Sequence, residues 1–175
     1  MGKSRDRHLK NRRCVLPEAY PQPRVSAANS YYATLLLEDY TGVVSEMTAI
    51  NQYLYHHFIF RGCDPELAEL EECIAIIEMK HMELLSETII LLGAAPEFRT
   101  LGMNPAYWNA SVVYYGRDVC DQLAADITAE VQAIQNYRKH QRLIDDPCIK
   151  QLLARIIMDE EYHEKLFRRA AAKYF

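Results

Sequence analysis

Two short segments repeat a pairing of residue types that binds cations. Glu78-Met-Lys-His81 and Glu160-Glu-Tyr-His163 each set a glutamate three residues before a histidine, so on a helix the carboxylate and the imidazole share one face. Two further glutamates stand in matching surroundings. Glu46-Met-Thr-Ala-Ile-Asn-Gln-Tyr53 and Glu130-Val-Gln-Ala-Ile-Gln-Asn-Tyr137 agree at Glu, Ala, Ile and Tyr. Chance alone supplies about 0.5 Glu-x-x-His in a chain with this many Glu and His, so one occurrence means little. Two, each preceded by a Glu with Tyr at +7, are a repeat.

Four uncompensated carboxylates in an apolar interior are prohibitively costly. Two divalent ions cancel their charge, and neutral imidazoles add donors without changing the sum. Mixed carboxylate and imidazole ligation suits iron or manganese; zinc favours fewer ligands and magnesium does not seek imidazole. One Glu from each of two helices plus Glu-x-x-His from two others is a ligand set of dinuclear carboxylate bundles. The candidate ligands are therefore Glu46, Glu78, His81, Glu130, Glu160 and His163.

The elements that hold them are helices. Asp64-Pro65 and Asp146-Pro147 each offer an N-cap carboxylate and a proline at the first helical position. Apolar spacing of three and four predicts helices over about 31–61, from 65 to near Gly93, over about 117–144, and from 147 to the terminus. Glu46 and Glu130 lie eighteen and sixteen residues before their turns, and Glu78 and Glu160 fourteen after them. At about 1.5 Å per residue all four carboxylates sit at one level, roughly 21 to 27 Å from the turns. Short turns force antiparallel hairpins, whereas residues 93–116 are long enough to run the length of a bundle. The expected fold is all-α, a four-helix bundle with up-down, long crossover, up-down topology over 31–175, behind a basic extended arm over 1–30.

Composition bounds the rest. Half of the 175 residues are hydrophobic, enough for a core, and no apolar run approaches the roughly 20 residues of a membrane span. Residues 1–24 carry a balance of +5 and the remainder −9. No apolar segment follows the basic start, so a cytoplasmic protein with neither membrane nor nucleic-acid partner is expected. Five cysteines without a CxxC pair suggest buried reduced thiols. Among the other histidines, His57 reads as core or boundary, His56 and His140 as surface, and His8 as part of the arm. Apolar residues on several helix faces and twelve tyrosines point to a homodimer or higher homo-oligomer.

With SEMTAINQYLYHH around Glu46, IIEMKHMELL around Glu78 and MDEEYH around Glu160, the chain resembles the bacterioferritins and the wider ferritin-like family, including rubrerythrins and manganese catalases, over about residues 31–170. The resemblance implies the same six ligands, with Glu78 and Glu160 as bridges, Tyr53 as a catalytic residue beside them, and Asp126 and Asp159 orienting the histidines. It implies two iron ions per chain, with manganese as the alternative. The activity implied is ferroxidase- or peroxidase-type reduction of H2O2 or O2, coupled to Fe(II) or an external electron donor. The alternatives are a di-manganese catalase and a storage, coat or compartment cargo protein. Met79 coincides with the haem-binding methionine of bacterioferritins, but methionine on a helix face is ordinarily packing, and haem is not expected. The chain ends fifteen residues after Glu160, where bacterioferritins continue into a cage-closing helix, so a cage is not expected. Residues 15–39, with Tyr20-Pro-Gln-Pro and LLLEDY, resemble the manganese-catalase and spore-coat branch, whereas Glu160 in its Glu-x-x-His is more typical of the di-iron branch.

Overall fold

The computed structural model describes residues 14–102 and 104–174; His8 and the basic stretch through Arg13 lie outside them. The helices are α1 (Ser30–Thr41), α2 (Glu46–Phe60), α3 (Pro65–Leu91), α4 (Val119–Leu143) and α5 (Pro147–Ala171), with one 3-10 turn at Ala110–Val112. They make four rods, because α1 and α2 together occupy the place of one. None of the helices among the described residues is long and apolar enough to cross a membrane.

The caps explain the boundaries. Asp64 accepts the Leu67 N–H at 2.9 Å at the start of α3, and Asp146 accepts those of Cys148 at 2.9 Å and Ile149 at 3.3 Å at the start of α5. In both cases proline fills the next position, where its missing N–H costs nothing. After α3, Gly93 adopts φ +91°, and Ala94 N–H closes on Ile89 O at 3.1 Å.

The first rod departs from the sequence pattern, which reads as one helix over 31–61. The chain leaves the helix at Gly42 and re-enters at Glu46, with Ser45 as the new N-cap accepting from Thr48 N–H. A Cβ on Gly42 would fall 2.5 Å from Glu38 O, so only glycine allows this turn. The β-branched pair Val43-Val44 then disfavours immediate re-entry. Glu46 is thereby the first residue of α2, where a helix N-terminus favours negative charge.

α2 packs on α3 and α4 on α5 as hairpins, and the crossover between them carries one isolated antiparallel bridge, Arg99 to Tyr107. Two apolar clusters form the core. One gathers Leu36, Leu85, Ile89, Ile134, Leu153 and Ile156; the other gathers Tyr53, Phe60, Leu67, Ile74, Leu123 and Phe167. Between them every rod buries at least one acidic side chain: Glu46, Glu78, Glu130 and Glu160.

The described part of the N-terminal arm lies along α5. Arg155 donates to the carbonyls of Glu18 and Leu16, Ser26 N–H donates to Asp146, and Asn29 N–H donates to Leu92 O. Its first described residue, Cys14, forms a disulfide with Cys73 of α3, across a Cα separation of 6.0 Å. This corrects the expectation of reduced thiols for that pair. The partners are 59 residues apart, a distance at which spacing carries no signal. Cys63, Cys120 and Cys148 are free.

Three backbone N–H bonds hold the Asp146 carboxyl below its ordinary value against the upward push of burial. A depressed carboxylate adds stability that is complete above its unfolded-state pKa and is lost as pH falls through the folded-state value. Asp146→Ala should therefore lower unfolding stability by about 1–2 kcal/mol at neutral pH. In urea titrations the gap from wild type should close in acid.

Candidate metal centre

Between the two apolar clusters the four rods converge on one polar layer. Glu46 comes from the first turn of α2, Glu78 and His81 from α3, Glu130 from α4, and Glu160 and His163 from α5; none is more than 3% exposed. Two overlapping groups result, Glu46, Glu78, His81 and Glu160, and Glu78, Glu130, Glu160 and His163, with the offered atoms of each within 4.8 Å of one another.

Glu78 and Glu160 belong to both groups. Glu78 places Oε2 2.8 Å from His81 Nδ1 and Oε1 2.8 Å from His163 Nδ1. Glu160 places Oε1 3.0 Å from His81 Nδ1 and Oε2 3.3 Å from His163 Nδ1. Glu46 and Glu130 stand at opposite ends, 3.8 Å from His81 and 3.9 Å from His163 respectively.

Charge in this layer is balanced by protons when no metal is bound. Burial, then the charges of Glu160 and Glu78, push Glu46 and Glu130 well above the carboxylate range. Burial also pushes Glu78 up, but the His163 charge and the close contacts to both imidazoles outweigh it and hold the carboxyl at about 2. Glu160 is lowered in the same manner, chiefly by His81, against burial and the Glu78 charge. Burial works against the imidazolium forms, yet the glutamates raise His163 to about 10 and His81 well above its ordinary value. Glu78 Oε1, Glu160 Oε1 and His163 Nδ1 are buried without a hydrogen bond of acceptable geometry. Unsatisfied donor atoms of this kind, aimed at one volume, fit cations.

The tyrosines cross between halves. Tyr53, seven residues after Glu46, donates to Glu130 Oε1 at 2.6 Å, while Tyr137, seven after Glu130, donates to Glu46. Burial, then Glu130 for Tyr53 and Glu46 for Tyr137, raises both phenols, so they remain donors. The repeat carried the signal for Tyr137, which sequence reasoning left unassigned. A cavity of about 430 Å³ leads from the surface to Glu46, Tyr53, Glu130 and Glu160, with Ala49, Ala125, Ala129 and Ala133 among its walls.

The outer nitrogens of the histidines meet different partners. Asp159 Oδ2 is 3.3 Å from His81 Nε2, and the Tyr20 hydroxyl is 3.2 Å from it. His163 Nε2 bonds Cys14 O at 2.7 Å. Asp126 does not orient a histidine of the centre, contrary to expectation; it faces His56 Nδ1 at 2.9 Å and accepts from Gln52 at 2.8 Å. Two surface assignments are corrected as well. His56 and His140 are fully buried, because each finds a carboxylate inside: Asp126 for His56 and, at 2.7 Å, Asp39 for His140. His57 is buried and bonds Ala68 O at 2.7 Å. Met79 is exposed on the outside of α3.

A residue that sequence reasoning missed, Glu71, completes a third buried group with His56 and Asp126. Neither Glu71 oxygen meets a hydrogen-bond donor, and burial followed by the Asp126 charge pushes its carboxyl well up.

A family model for the ferritin-like domain matches residues 42–174. The chain belongs to the ferritin-like family. This ferritin-like chain is 29% identical over 171 residues to a probable manganese catalase of Clostridium acetobutylicum, covering 87% of this chain and 75% of that one. It is 29% identical over 125 residues to the bacterioferritin of Mycobacterium leprae, covering 69% and 73%. Among solved structures, the manganese catalase of Anabaena PCC7120 superposes with a TM-score of 0.80 at 27% identity, covering 91% of this chain and 80% of that one.

A buried polar group left without its hydrogen-bond partner costs roughly 1–3 kcal/mol. Asp126→Ala should therefore cost about 2–3 kcal/mol of unfolding stability in chemical denaturation, by leaving His56 Nδ1 and the Gln52 amide unpartnered. A loss below about 1 kcal/mol would show that these buried bonds contribute little.

Proposed function

We propose that the chain holds two divalent metal ions between Glu46, Glu78, His81, Glu130, Glu160 and His163 and acts as an oxidoreductase on hydrogen peroxide or dioxygen. The observation that carries this reading is the contact pattern of Glu78 and Glu160, each offering one oxygen toward each histidine, with Glu46 and Glu130 at the two ends. Glu78 and Glu160 would be shared between the ions, and the other four residues would each serve one. An adjacent pair of iron or manganese ions supplies two one-electron changes together, so peroxide is reduced to water without release of a radical.

The chain's own groups do the remainder. The alanine-walled cavity admits a molecule the size of peroxide and leads it to Glu46, Glu130 and Glu160. Tyr53 and Tyr137 keep their protons, fix the two terminal carboxylates, and present O–H groups to whatever enters. The apolar clusters on either side exclude bulk water. With iron the balanced reaction is two Fe(II), one H2O2 and two protons to two Fe(III) and two water, with Fe(II) or an external donor restoring the pair. With manganese, two H2O2 give two water and O2, and no donor is consumed.

One observation favours the manganese form. The catalase likeness covers more of the chain than residues 42–174 supply and so takes in part of what precedes Gly42, whereas the bacterioferritin likeness covers 69%. The assay separates the two forms. Metal analysis should find two ions per chain. On adding H2O2 anaerobically, oxygen evolution marks the manganese catalase and Fe(II) consumption the iron peroxidase. Metal without either response leaves a storage or structural role. Glu130→Ala should lower metal content while the helical bundle persists; unchanged stoichiometry overturns the ligand assignment.

The proton balance gives a second test. Without metal, Glu46, Glu130, His81 and His163 are each driven toward the protonated form. Metal uptake should release protons, drawn from these four groups. Affinity should fall steeply with falling pH, and calorimetry in buffers of different ionisation enthalpy counts the protons directly.

A further inference from the structure

The segment from Cys14 to Tyr20 meets both histidines of the centre on their far sides. Cys14 O accepts from His163 Nε2 at 2.7 Å. The Tyr20 hydroxyl reaches His81 Nε2 at 3.2 Å and donates to Asp159, which also accepts the Leu16 N–H at 3.0 Å. Arg155 fastens this strap from α5. Its Nε donates to Glu18 O at 2.8 Å and its Nη2 to Leu16 O at 3.0 Å, while its guanidinium lies 4.3 Å over the Tyr20 ring. At its start the strap is tied covalently to α3 through Cys14–Cys73.

A ligating imidazole is oriented by whatever holds its other nitrogen, and loss of that partner commonly costs 10- to 100-fold in metal affinity. Here the strap supplies the partner of His163 outright and shares that of His81 with Asp159. We propose that the Cys14–Tyr20 strap is the positioning element for both histidines, and that the Cys14–Cys73 disulfide makes metal retention depend on thiol state. This rests on the dinuclear reading above.

The chemistry of release is thiol–disulfide exchange with a dithiol. Its thiolate attacks one cysteine sulfur, the S–S bond breaks, and a mixed disulfide forms. The second thiol resolves it, so the dithiol leaves as its own disulfide, having given two electrons, and Cys14 and Cys73 each take up a proton. A cavity of about 360 Å³ bordered by Cys14, Leu67, Leu70, Arg169, Lys173 and Tyr174 provides the approach. Once the sulfurs part, the strap start loses its covalent tie to α3, and the carbonyl facing His163 is held less firmly.

The test measures Mn²⁺ and Co²⁺ affinity by competition with a chromophoric chelator. The samples are oxidised wild type, Tyr20→Phe, Cys73→Ser, and wild type reduced and then freed of reductant. Thiol titration of the denatured chain fixes the state, with three free cysteines when oxidised and five when reduced. Tyr20→Phe keeps the ring under Arg155 and loses only the hydroxyl. Each altered sample should bind metal about 10- to 100-fold more weakly, with a changed Co²⁺ visible spectrum and unchanged helical circular dichroism. Reoxidation of wild type should restore affinity. Should Cys73→Ser fail to fold, Tyr20→Phe and the reversible reduction of wild type decide the matter. Wild-type affinity and spectrum in Tyr20→Phe and in reduced protein overturn this inference alone. Oxidised wild type that binds no metal overturns the dinuclear reading and this inference with it.

Discussion

Burying four carboxylates at one level of an apolar bundle is the constraint to which the remaining structure answers. A carboxylate there must be protonated, paired or bound to a cation. The protein meets the demand with alternating devices: imidazoles against Glu78 and Glu160, phenols against Glu46 and Glu130, and protons on the two terminal glutamates. Each device is an expense that a hydrocarbon core avoids, and a protein that needed only a stable bundle would be better served by leucine. A layer this polar between two apolar clusters is therefore a functional feature of the fold, and caps, turns and crossover serve to bring four rods to it in register.

The duplication has a structural counterpart. Each half contributes Glu, then Tyr seven residues later, then Glu-x-x-His, and each tyrosine bonds the glutamate of the other half. Crossing in this way ties α2 to α4 at the centre itself, where their direct packing is sparse and the cavity opens between them. The sparse contact leaves the cavity open, and the paired tyrosines hold the two rods together across it.

What could be seen in the sequence is what depends on local chemistry and helix arithmetic. Asp-Pro turns, the depth of four glutamates and the two Glu-x-x-His pairs need only spacing, and the structure brings those six side chains together. What could not be seen depends on which strangers meet. The break at Gly42 hides inside an apolar pattern that continues through it, since periodicity reports faces and not hydrogen bonds. His56 and His140 read as surface because their hydrogen-bonding partners, Asp126 and Asp39, lie on other helices. Asp126 sits one turn before Glu130, and position alone could not tell an orienting carboxylate from one committed to His56 and Gln52. Cys14 with Cys73, and Tyr20 with Asp159, join parts of the chain no local rule connects.

The halves cease to be equivalent beyond the six central residues. His81 leans on a carboxylate, since Asp159 is held at about 2 by bonds from His81, Tyr20, Leu16 and Arg155 against the upward push of burial. His163 leans on the neutral carbonyl of Cys14. An imidazole backed by a carboxylate is the more basic ligand. A cation against Glu46 and His81 would thus meet a stronger donor than one against Glu130 and His163, though the central groups are near mirror images. The difference comes from the strap and α5, outside the repeated motif. A duplicated pattern sets out two near-equivalent groups of donors; the unduplicated segment laid across its back makes them unequal.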